Sequence, residues 1–316
     1  MLNFASKKII MNDLTNHVLM IRPFFFYKNE QTSVNNYFQY NTGLTDEKIN
    51  YLALKEFDEF VKKLVDSGVQ VTVGQDSKHP DTPDSIFPNN WLSFHKKNKV
   101  IIYPMYAKNR RNERTDYVFD ILKKKGIEAQ IIHDFTNYEN DNLFLEGTGS
   151  MVLDRVYKKC FACLSERTSK KLVIDFCNKM DYKPILFRAY HTFSGKRLSI
   201  YHTNVMMSIG NKFAAIGLNS VDNITERENL INELSEARKE IIFLTETQIK
   251  YFAGNMLLLK NSKEEPILVM SSSAYNSLTK IQIKKIENHS KIIHSRLDTI
   301  ESVGGGSARC MLAEVF

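Results

Sequence analysis

The chain has 316 residues, of which 43% are hydrophobic and 25% charged, and its net charge is +7. This size suits one large domain or two ordinary ones, with the composition of a globular protein. No apolar run approaches the roughly 20 residues of a membrane span, and the first ten residues lack the features of a signal peptide. The basic residues are dispersed, so we expect a cytoplasmic protein whose partners are neither nucleic acid nor membrane.

Apolar residues at three- and four-residue spacing predict five helices along the chain. The first follows Thr45, which can cap it, and the second ends before Gly126. The third begins at Ser165, the fourth includes residues 230–234, and the fifth covers residues 274–286. Strand-like stretches alternate with these helices, and no linker or low-complexity tract separates them.

Five short segments share a pattern in which a small, amide or thiol residue leads into an apolar strand. They are anchored at Asn90, Gly149, Asn204, Asn255 and Cys310, which gives spacings of 59, 55, 51 and 55 residues by subtraction. A recurrence at this period indicates a repeat architecture. We therefore predict a single α/β domain over residues 1–316, with five units in a closed radial arrangement. In such a ring the five strand starts would converge on a central cavity.

Four cysteines occur, and three of them are predicted to be structural. Cys160 and Cys163 have the spacing of a redox or zinc motif, but they lie in an apolar run without a second ligand pair. We interpret them as packing residues and predict no metal site. The lack of a disulfide framework agrees with a cytoplasmic protein.

The last segment, residues 304–311, reads Gly-Gly-Gly-Ser-Ala-Arg-Cys-Met. Its glycines leave the backbone open to close approach, and the positive charge of Arg309 favours the nucleophilic thiolate of Cys310. A phosphate loop is disfavoured because no Gly-Lys-Ser/Thr follows, although an isolated cysteine can also be a small buried hydrophobe. The run 311–313 predicts a short buried strand.

If the strand starts converge, Cys310 meets His202, Glu146 and the amides of Asn89 and Asn90. A Cys–His pair oriented by a third group is the general arrangement of nucleophilic catalysis. Each residue also has a structural interpretation: a satisfied core histidine, a carboxylate that caps backbone donors, and turn asparagines. Their joint occurrence at equivalent repeat positions favours an active site.

Several segments resemble known enzymes. Residues 304–311 are similar to the nucleophile loop of arginine deiminases, and Ser-Glu-Arg-Thr at 165–168 is similar to a motif of arginine deiminases and dimethylarginine hydrolases. Residues 20–23 and 29–36 resemble the citrulline ureidase (citrulline utilisation hydrolase) branch. From about Met20 to Cys310 the chain thus resembles the pentein, or amidinotransferase/deiminase, superfamily.

The resemblance implies a five-bladed α/β propeller of pseudo-fivefold ββαβ repeats, with the active site on its axis. It implies Cys310 as nucleophile, His202 as general acid and then base, Glu146 as the partner of His202 or of a substrate nitrogen, and Arg167 as a clamp for the substrate α-carboxylate. Further candidate substrate contacts are Asp84, Asn89, Asn90, Asn204 and Arg309. It implies a small-molecule substrate and no cofactor, and it leaves a homo-oligomer open.

The chain departs from arginine deiminases at two places, where Asn90 and Asn204 replace the usual aspartates. A neutral ureido group needs both a donor and an acceptor, which an amide supplies. A guanidinium that faces amides loses charge-assisted hydrogen bonds. The sequence therefore favours hydrolysis of L-citrulline to ornithine, CO2 and ammonia, although Glu146, Asp84 and Asp81 could still supply charge for a cationic substrate.

The alternatives that remain are of two classes. One is a guanidino-group enzyme of the same fold: an arginine deiminase, a methylarginine hydrolase, an enzyme like succinylarginine dihydrolase, or an amidinotransferase. The other is a non-catalytic pentein-fold binding protein, which is disfavoured because the Cys, His and Glu positions are all occupied.

Overall fold

The computed structural model describes residues 13–316, and the predicted absence of a signal peptide concerns residues that lie outside this range. Over the described residues, no helix is both long and apolar enough to cross a membrane. The fold is a mixed α/β structure built on small sheets.

Five of the sheets have three strands each, and all five have the same topology. In each, the first strand pairs antiparallel with the middle strand, which pairs parallel with the third. In spatial order the sheets are Ala313–Val315, His17–Arg22 and Gln70–Gln75; Leu92–His95, Lys99–Ile102 and Gln130–Asp134; Met151–Asp154, Lys159–Cys163 and Lys183–Phe187; Met207–Ile209, Phe213–Ile216 and Glu240–Phe243; Leu257–Lys260, Pro266–Ser271 and Lys291–Ser295. A separate hairpin joins Tyr190–Phe193 to Lys196–Ser199.

Helices connect the parallel strands of every sheet, as parallel pairing requires. These crossover helices are Asp46–Asp66, Tyr117–Lys124, Lys170–Met180, Ile224–Glu236, and the pair Ser272–Ser277 and Lys280–Glu287. Shorter helices are Glu30–Ser33, Gly147–Ser150, Thr203–Met206, Glu246–Lys250 and Asp298–Gly304, with 3₁₀ turns at Pro88–Asn90, Asn109–Glu113, Thr136–Asp141 and Leu218–Ser220. The predicted repeat of strands and one helix is therefore present as a recurring topology.

The Asp46–Asp66 helix shows how the sequence produces these elements. The Thr45 hydroxyl accepts a hydrogen bond from the backbone N–H of Lys48, and acidic residues occupy the first turn, where they suit the helix dipole. Its buried residues follow helical spacing and pack into one core cluster: Ile49, Ala53, Phe57, Phe60 and Leu64. The helix is thus capped and amphipathic as predicted.

Two predicted helix boundaries are wrong. The third helix starts at Lys170 rather than Ser165, because Ser165 and Thr168 close a turn through paired backbone hydrogen bonds. The predicted helix over residues 274–286 is two helices, because Thr279 forms a capping box with Gln282 and begins a new helix.

Each of the five anchor residues precedes the first strand of a sheet by two or three residues. The strand after Cys310 is Ala313–Val315, so the prediction that it includes Met311 and Leu312 is wrong. Backbone hydrogen bonds from Met311 and Leu312 to Ala308 and Arg309 keep these two residues in turns. Cys160, Cys163 and Cys177 are buried free thiols in the core.

The buried face of the Asp46–Asp66 helix gives a test of the fold. Replacing Phe57, which is fully buried, by Ala (Phe57→Ala) should lower the free energy of unfolding by about 3–5 kcal/mol because it leaves a cavity. Val65→Ala, on the exposed face of the same helix, should change it by less than about 0.5 kcal/mol. Urea denaturation followed by circular dichroism measures both, and equal effects of the two changes would contradict this packing.

Candidate active site

A small cavity of about 260 Å³ lies at the C-terminal glycine loop. Its walls bring together Cys310, His202, Asn90, Arg167 and Asp84, five residues from distant parts of the sequence. All five are at most 3% exposed. The predicted convergence of the strand starts on one site therefore holds for these residues.

Cys310 sits on a tight turn, where its backbone N–H donates to the carbonyl of Ser307. Its Sγ accepts two hydrogen bonds, from Asn204 Nδ2 at 3.3 Å and Asn255 Nδ2 at 3.2 Å. Upstream in the loop, the carbonyl of Gly305 accepts a hydrogen bond from the Tyr201 hydroxyl at 2.5 Å. The sulfur is thus held by amide donors, while the loop that carries it is fastened to a neighbouring segment.

His202 and Glu146 form a buried pair, with 2.8 Å between His202 Nε2 and Glu146 Oε2. Burial acts to raise the pKa of Glu146, but Arg167 and the bond to His202 outweigh it and hold that pKa at about 2. Burial lowers the pKa of His202 despite the opposing effect of Glu146. At neutral pH an ionised Glu146 therefore accepts from Nε2–H of a neutral imidazole, which leaves the lone pair on Nδ1.

Arg167 connects this pair to a segment that covers the cavity. Its Nε donates to Asn35 Oδ1 at 2.9 Å, and its Nη2 donates to the carbonyl of Thr32 at 2.8 Å. Its Nη1 lies 3.6 Å from Glu146 Oε2. The guanidinium also lies 4.8 Å from the centre of the Tyr201 ring, a cation–π contact. Arg167 therefore faces the cavity from a position that other residues define closely.

Asn90 has its amide orientation fixed by Arg110. Arg110 Nη1 donates to Asn90 Oδ1 at 2.8 Å, and Asn90 Nδ2 donates to Asn89 Oδ1 at 3.1 Å. Arg110 is itself buried and bonded through Nε and Nη2 to Glu113. Since a guanidinium has no acceptor, the amide oxygen must face Arg110, and Asn90 keeps an N–H for the cavity.

Asp84 is a buried carboxylate with one oxygen available. Its Oδ2 accepts from Asn29 Nδ2 at 2.8 Å and from the Thr32 hydroxyl at 3.1 Å, whereas its Oδ1 has no hydrogen-bond partner. Burial raises the pKa of Asp84, and Arg110 opposes that shift. A buried polar atom without a partner, in a residue that lines the cavity, suggests a ligand or water as its partner.

The two glycines of Glu-Gly-Thr-Gly allow the site to close up. A Cβ on Gly149 would lie 2.5 Å from Asn90 Nδ2 and 2.8 Å from His202 Nδ1. A Cβ on Gly147 would lie 2.3 Å from the carbonyl oxygen of Asn89, and the φ of Gly147 is +46°. The imidazole and the amide of Asn90 are therefore neighbours across a position with no room for a side chain.

The remaining predicted residues lie outside the cavity wall. Asn89 lies behind Asn90, and its Nδ2 donates to the Thr148 hydroxyl at 3.3 Å. The expectation that Asn204 faces the substrate is not met, because its Nδ2 is bonded to Cys310 Sγ. Arg309 is directed away from the sulfur, since its guanidinium bonds to Glu314 and to the carbonyl of Leu312.

Two residues of this centre were not predicted as site residues from the sequence. Arg110 forms an i,i+3 pair with Glu113, which in a sequence cannot be distinguished from an ordinary surface ion pair. Asn255 did have a signal, because it occupies the fourth of the five equivalent strand starts. Within residues 13–316, no cluster of three His, Cys, Asp or Glu side chains is arranged to hold a metal ion.

The sequence matches one family model, described as N,N dimethylarginine dimethylhydrolase, eukaryotic, over residues 22–316. No curated protein matches the sequence. The match spans the cavity residues and nearly all of the described chain.

Solved structures with the same fold include ArgZ, named as an arginine dihydrolase from the ornithine-ammonia cycle in cyanobacteria. It has a TM-score of 0.70 at 16% identity, covering 95% of this chain and 40% of the ArgZ chain. The N-terminal domain of ArgZ, covalently bound to a reaction intermediate, has a TM-score of 0.69 at 15% identity and covers 95% and 97%. A dimethylarginine dimethylaminohydrolase adduct with S-methyl-L-thiocitrulline has a TM-score of 0.60 at 12% identity and covers 95% and 99%. This chain thus spans less than half of full-length ArgZ, and at these identities the likeness concerns the fold.

The His202–Glu146 pair gives a titration test. Glu146 raises the pKa of His202 against the effect of burial, so Glu146→Gln should move that pKa further down. An NMR titration of the imidazole measures the shift, with exposed Glu128→Gln as the control. An unchanged or higher pKa for His202 in Glu146→Gln would contradict the pairing.

Proposed function

Because the chain belongs to the family described as N,N dimethylarginine dimethylhydrolase, within the pentein superfamily, we propose that it hydrolyses L-citrulline through Cys310. The products would be ornithine, carbon dioxide and ammonia. The observation that carries the choice of substrate is the hydrogen bond from Arg110 to Asn90 Oδ1.

This bond decides what Asn90 offers to a substrate. With its oxygen occupied by Arg110, Asn90 presents an N–H donor to the cavity. The guanidinium of arginine carries donors only, so it finds no acceptor there, whereas the oxygen of a ureido group accepts from this N–H. The same N–H would stabilise negative charge that develops on that oxygen during attack at the carbon.

The charges around the cavity also support a neutral side chain. Arg110 and Arg167 contribute two positive charges to the wall, and Asp84 and the adjacent Glu146 contribute two negative charges when ionised. A zwitterionic amino acid with a ureido side chain adds no net charge to this balance. A substrate with a guanidinium would bring a further cation beside two buried arginines.

In the first half of the reaction, the neutral imidazole of His202 takes the proton of the Cys310 thiol at Nδ1. The thiolate attacks the ureido carbon, and the imidazolium returns the proton to the nitrogen that leaves. If ornithine leaves first, a carbamoyl thioester remains on Cys310. Glu146 stabilises the imidazolium and keeps Nδ1 directed at the reacting groups, as the third group of such a catalytic set does.

In the second half, His202 removes a proton from water, which attacks the thioester carbon. The carbon–sulfur bond breaks, the thiolate leaves, and the carbamate that is released decays to CO2 and ammonia. If ammonia leaves first, the order changes and the products do not. Each step uses only this chain's side chains and water.

The two ends of the substrate have candidate partners in the wall. We propose that Arg167 binds the α-carboxylate, for which a guanidinium has matching geometry. The unpartnered Oδ1 of Asp84 would accept from the α-ammonium or from the ureido NH2. We also keep Asn89 as a support of Asn90, and we assign Arg309 no contact with the substrate.

A second candidate function is hydrolysis of arginine or a methylated arginine. The free oxygen of Asp84 favours it, since a buried carboxylate is a natural partner for a guanidinium. ArgZ and the dimethylarginine enzyme, which share the fold, carry names of this kind. Direct comparison of substrates separates the two functions.

We further propose that the five sheets are the blades of a propeller around the site. Ala313–Val315 contacts Leu92–His95, and Met207–Ile209 contacts both Met151–Asp154 and Leu257–Lys260. Contacts between the first strands of different sheets are what an inner ring of strands requires. The identical topology of the five sheets supports the same arrangement.

A product assay tests the function. Citrulline, arginine, agmatine, methylarginine and succinylarginine are offered in parallel, with ammonia, ornithine and citrulline measured. We expect ornithine and ammonia from citrulline, and no turnover by Cys310→Ala. Conversion of arginine or methylarginine to citrulline, without consumption of citrulline, would overturn the assignment and favour the second candidate.

Asn90→Asp tests the substrate argument itself. The new carboxylate would pair with Arg110 and present an oxygen where the ureido oxygen should bind. We expect kcat/KM for citrulline to fall by about 10- to 100-fold, with exposed Asn137→Asp unchanged as the charge-matched control. Steady-state kinetics of both variants provide the measurement, and a wild-type value in Asn90→Asp would remove Asn90 from this role.

A further inference from the structure

Asn255 lies against the sulfur of Cys310 and has no role in the mechanism above. It is fully buried, and its Nδ2 is 3.2 Å from Cys310 Sγ. The same nitrogen lies 3.0 Å from the carbonyl oxygen of Asn204. We propose that Asn255 is a catalytic residue that stabilises the Cys310 thiolate by donating an N–H hydrogen bond to it.

The orientation of the Asn255 amide is dictated by its surroundings. The backbone N–H of Arg309 donates to Asn255 Oδ1 at 2.9 Å, so this end of the amide must be the acceptor. The other end faces a carbonyl oxygen and the sulfur, and both accept. Asn255 therefore directs one N–H at each of them, which uses its full hydrogen-bonding capacity.

The same geometry identifies what stabilises the charge on sulfur. Arg309, the cation next to the nucleophile in sequence, has its guanidinium 2.9 Å from Glu314 Oε2. In the described part of the chain, the donors within hydrogen-bond distance of Sγ are the amides of Asn204 and Asn255. Hydrogen bonds from neutral amides to an anion in a site shielded from water are strong.

This role would operate twice in each turnover. When the thiol proton passes to His202 Nδ1, the charge left on the sulfur is stabilised by the two amides. When the thioester breaks, the same amides receive the returning thiolate. The contribution to turnover rests on the proposed function, whereas the ionisation of the free enzyme's sulfur does not.

Asn255→Asp separates donation to sulfur from support of the loop. This variant keeps an oxygen for the Arg309 N–H and removes the N–H that faces the sulfur. We expect the rate at which iodoacetamide alkylates Cys310 at neutral pH to fall by about 10- to 100-fold. The kcat for citrulline should fall similarly, with a smaller change in KM, because Asn255 contacts the sulfur and lies outside the substrate cavity wall.

Two controls accompany this experiment. Exposed Asn288→Asp makes the same chemical change away from the site and should alkylate at the wild-type rate. Cys310→Ala measures the background from the three other, buried cysteines. Peptide mass mapping confirms that Cys310 is the residue modified. Wild-type alkylation in a folded Asn255→Asp would overturn the proposal.

Asn255→Ala covers the case in which the carboxylate prevents folding. Here the alkylation rate should be low at neutral pH and approach the wild-type rate at high pH, where the thiol ionises without help. A displaced loop would lower the rate at every pH, and that result would also overturn the proposal. Because alkylation requires no substrate, a failure to hydrolyse citrulline would count against the proposed function and leave the assignment of Asn255 intact.

Discussion

The structure depends most on one constraint, which is that an ionised nucleophile must exist where water has little access. Cys310 is 3% exposed, so bulk solvent cannot stabilise its charge. The surrounding groups replace the solvent with amide donors at the sulfur and with the Glu146–His202 pair, which accepts and returns the proton. Arg167 in turn compensates the charge of Glu146.

These groups can meet only because five sheets begin in equivalent ways. Each first strand is preceded by a tight turn, and the side chains of those turns supply the chemistry. Hydrogen bonds join one turn to the next, as when the Asn255 amide donates to the carbonyl of Asn204 and accepts from Arg309. The site is therefore held by the connections between repeats, and no single repeat contains it.

The sequence allowed the repeat, the nucleophile and the Cys310, His202 and Glu146 set to be predicted, because spacing and residue type carry that information. Boundaries were harder: local caps at Ser169 and Thr279 decide where helices start. The directions of side chains could not be read from the sequence either. Arg309 is adjacent to the nucleophile in sequence yet turns to Glu314, whereas Arg110, 200 residues before Cys310, reaches the cavity. Such choices depend on which buried charge finds a partner in three dimensions.

Gly149 shows that the active site includes an absence as well as side chains. The space that a Cβ would need there is filled by the amide of Asn90 and the ring of His202. A single added carbon would push the proton-transfer group and the donor apart, while the buried core around Phe57 stayed intact. Selection for folding alone would therefore not preserve this glycine, and its replacement in a related chain would mark the loss of chemistry in a protein that still folds.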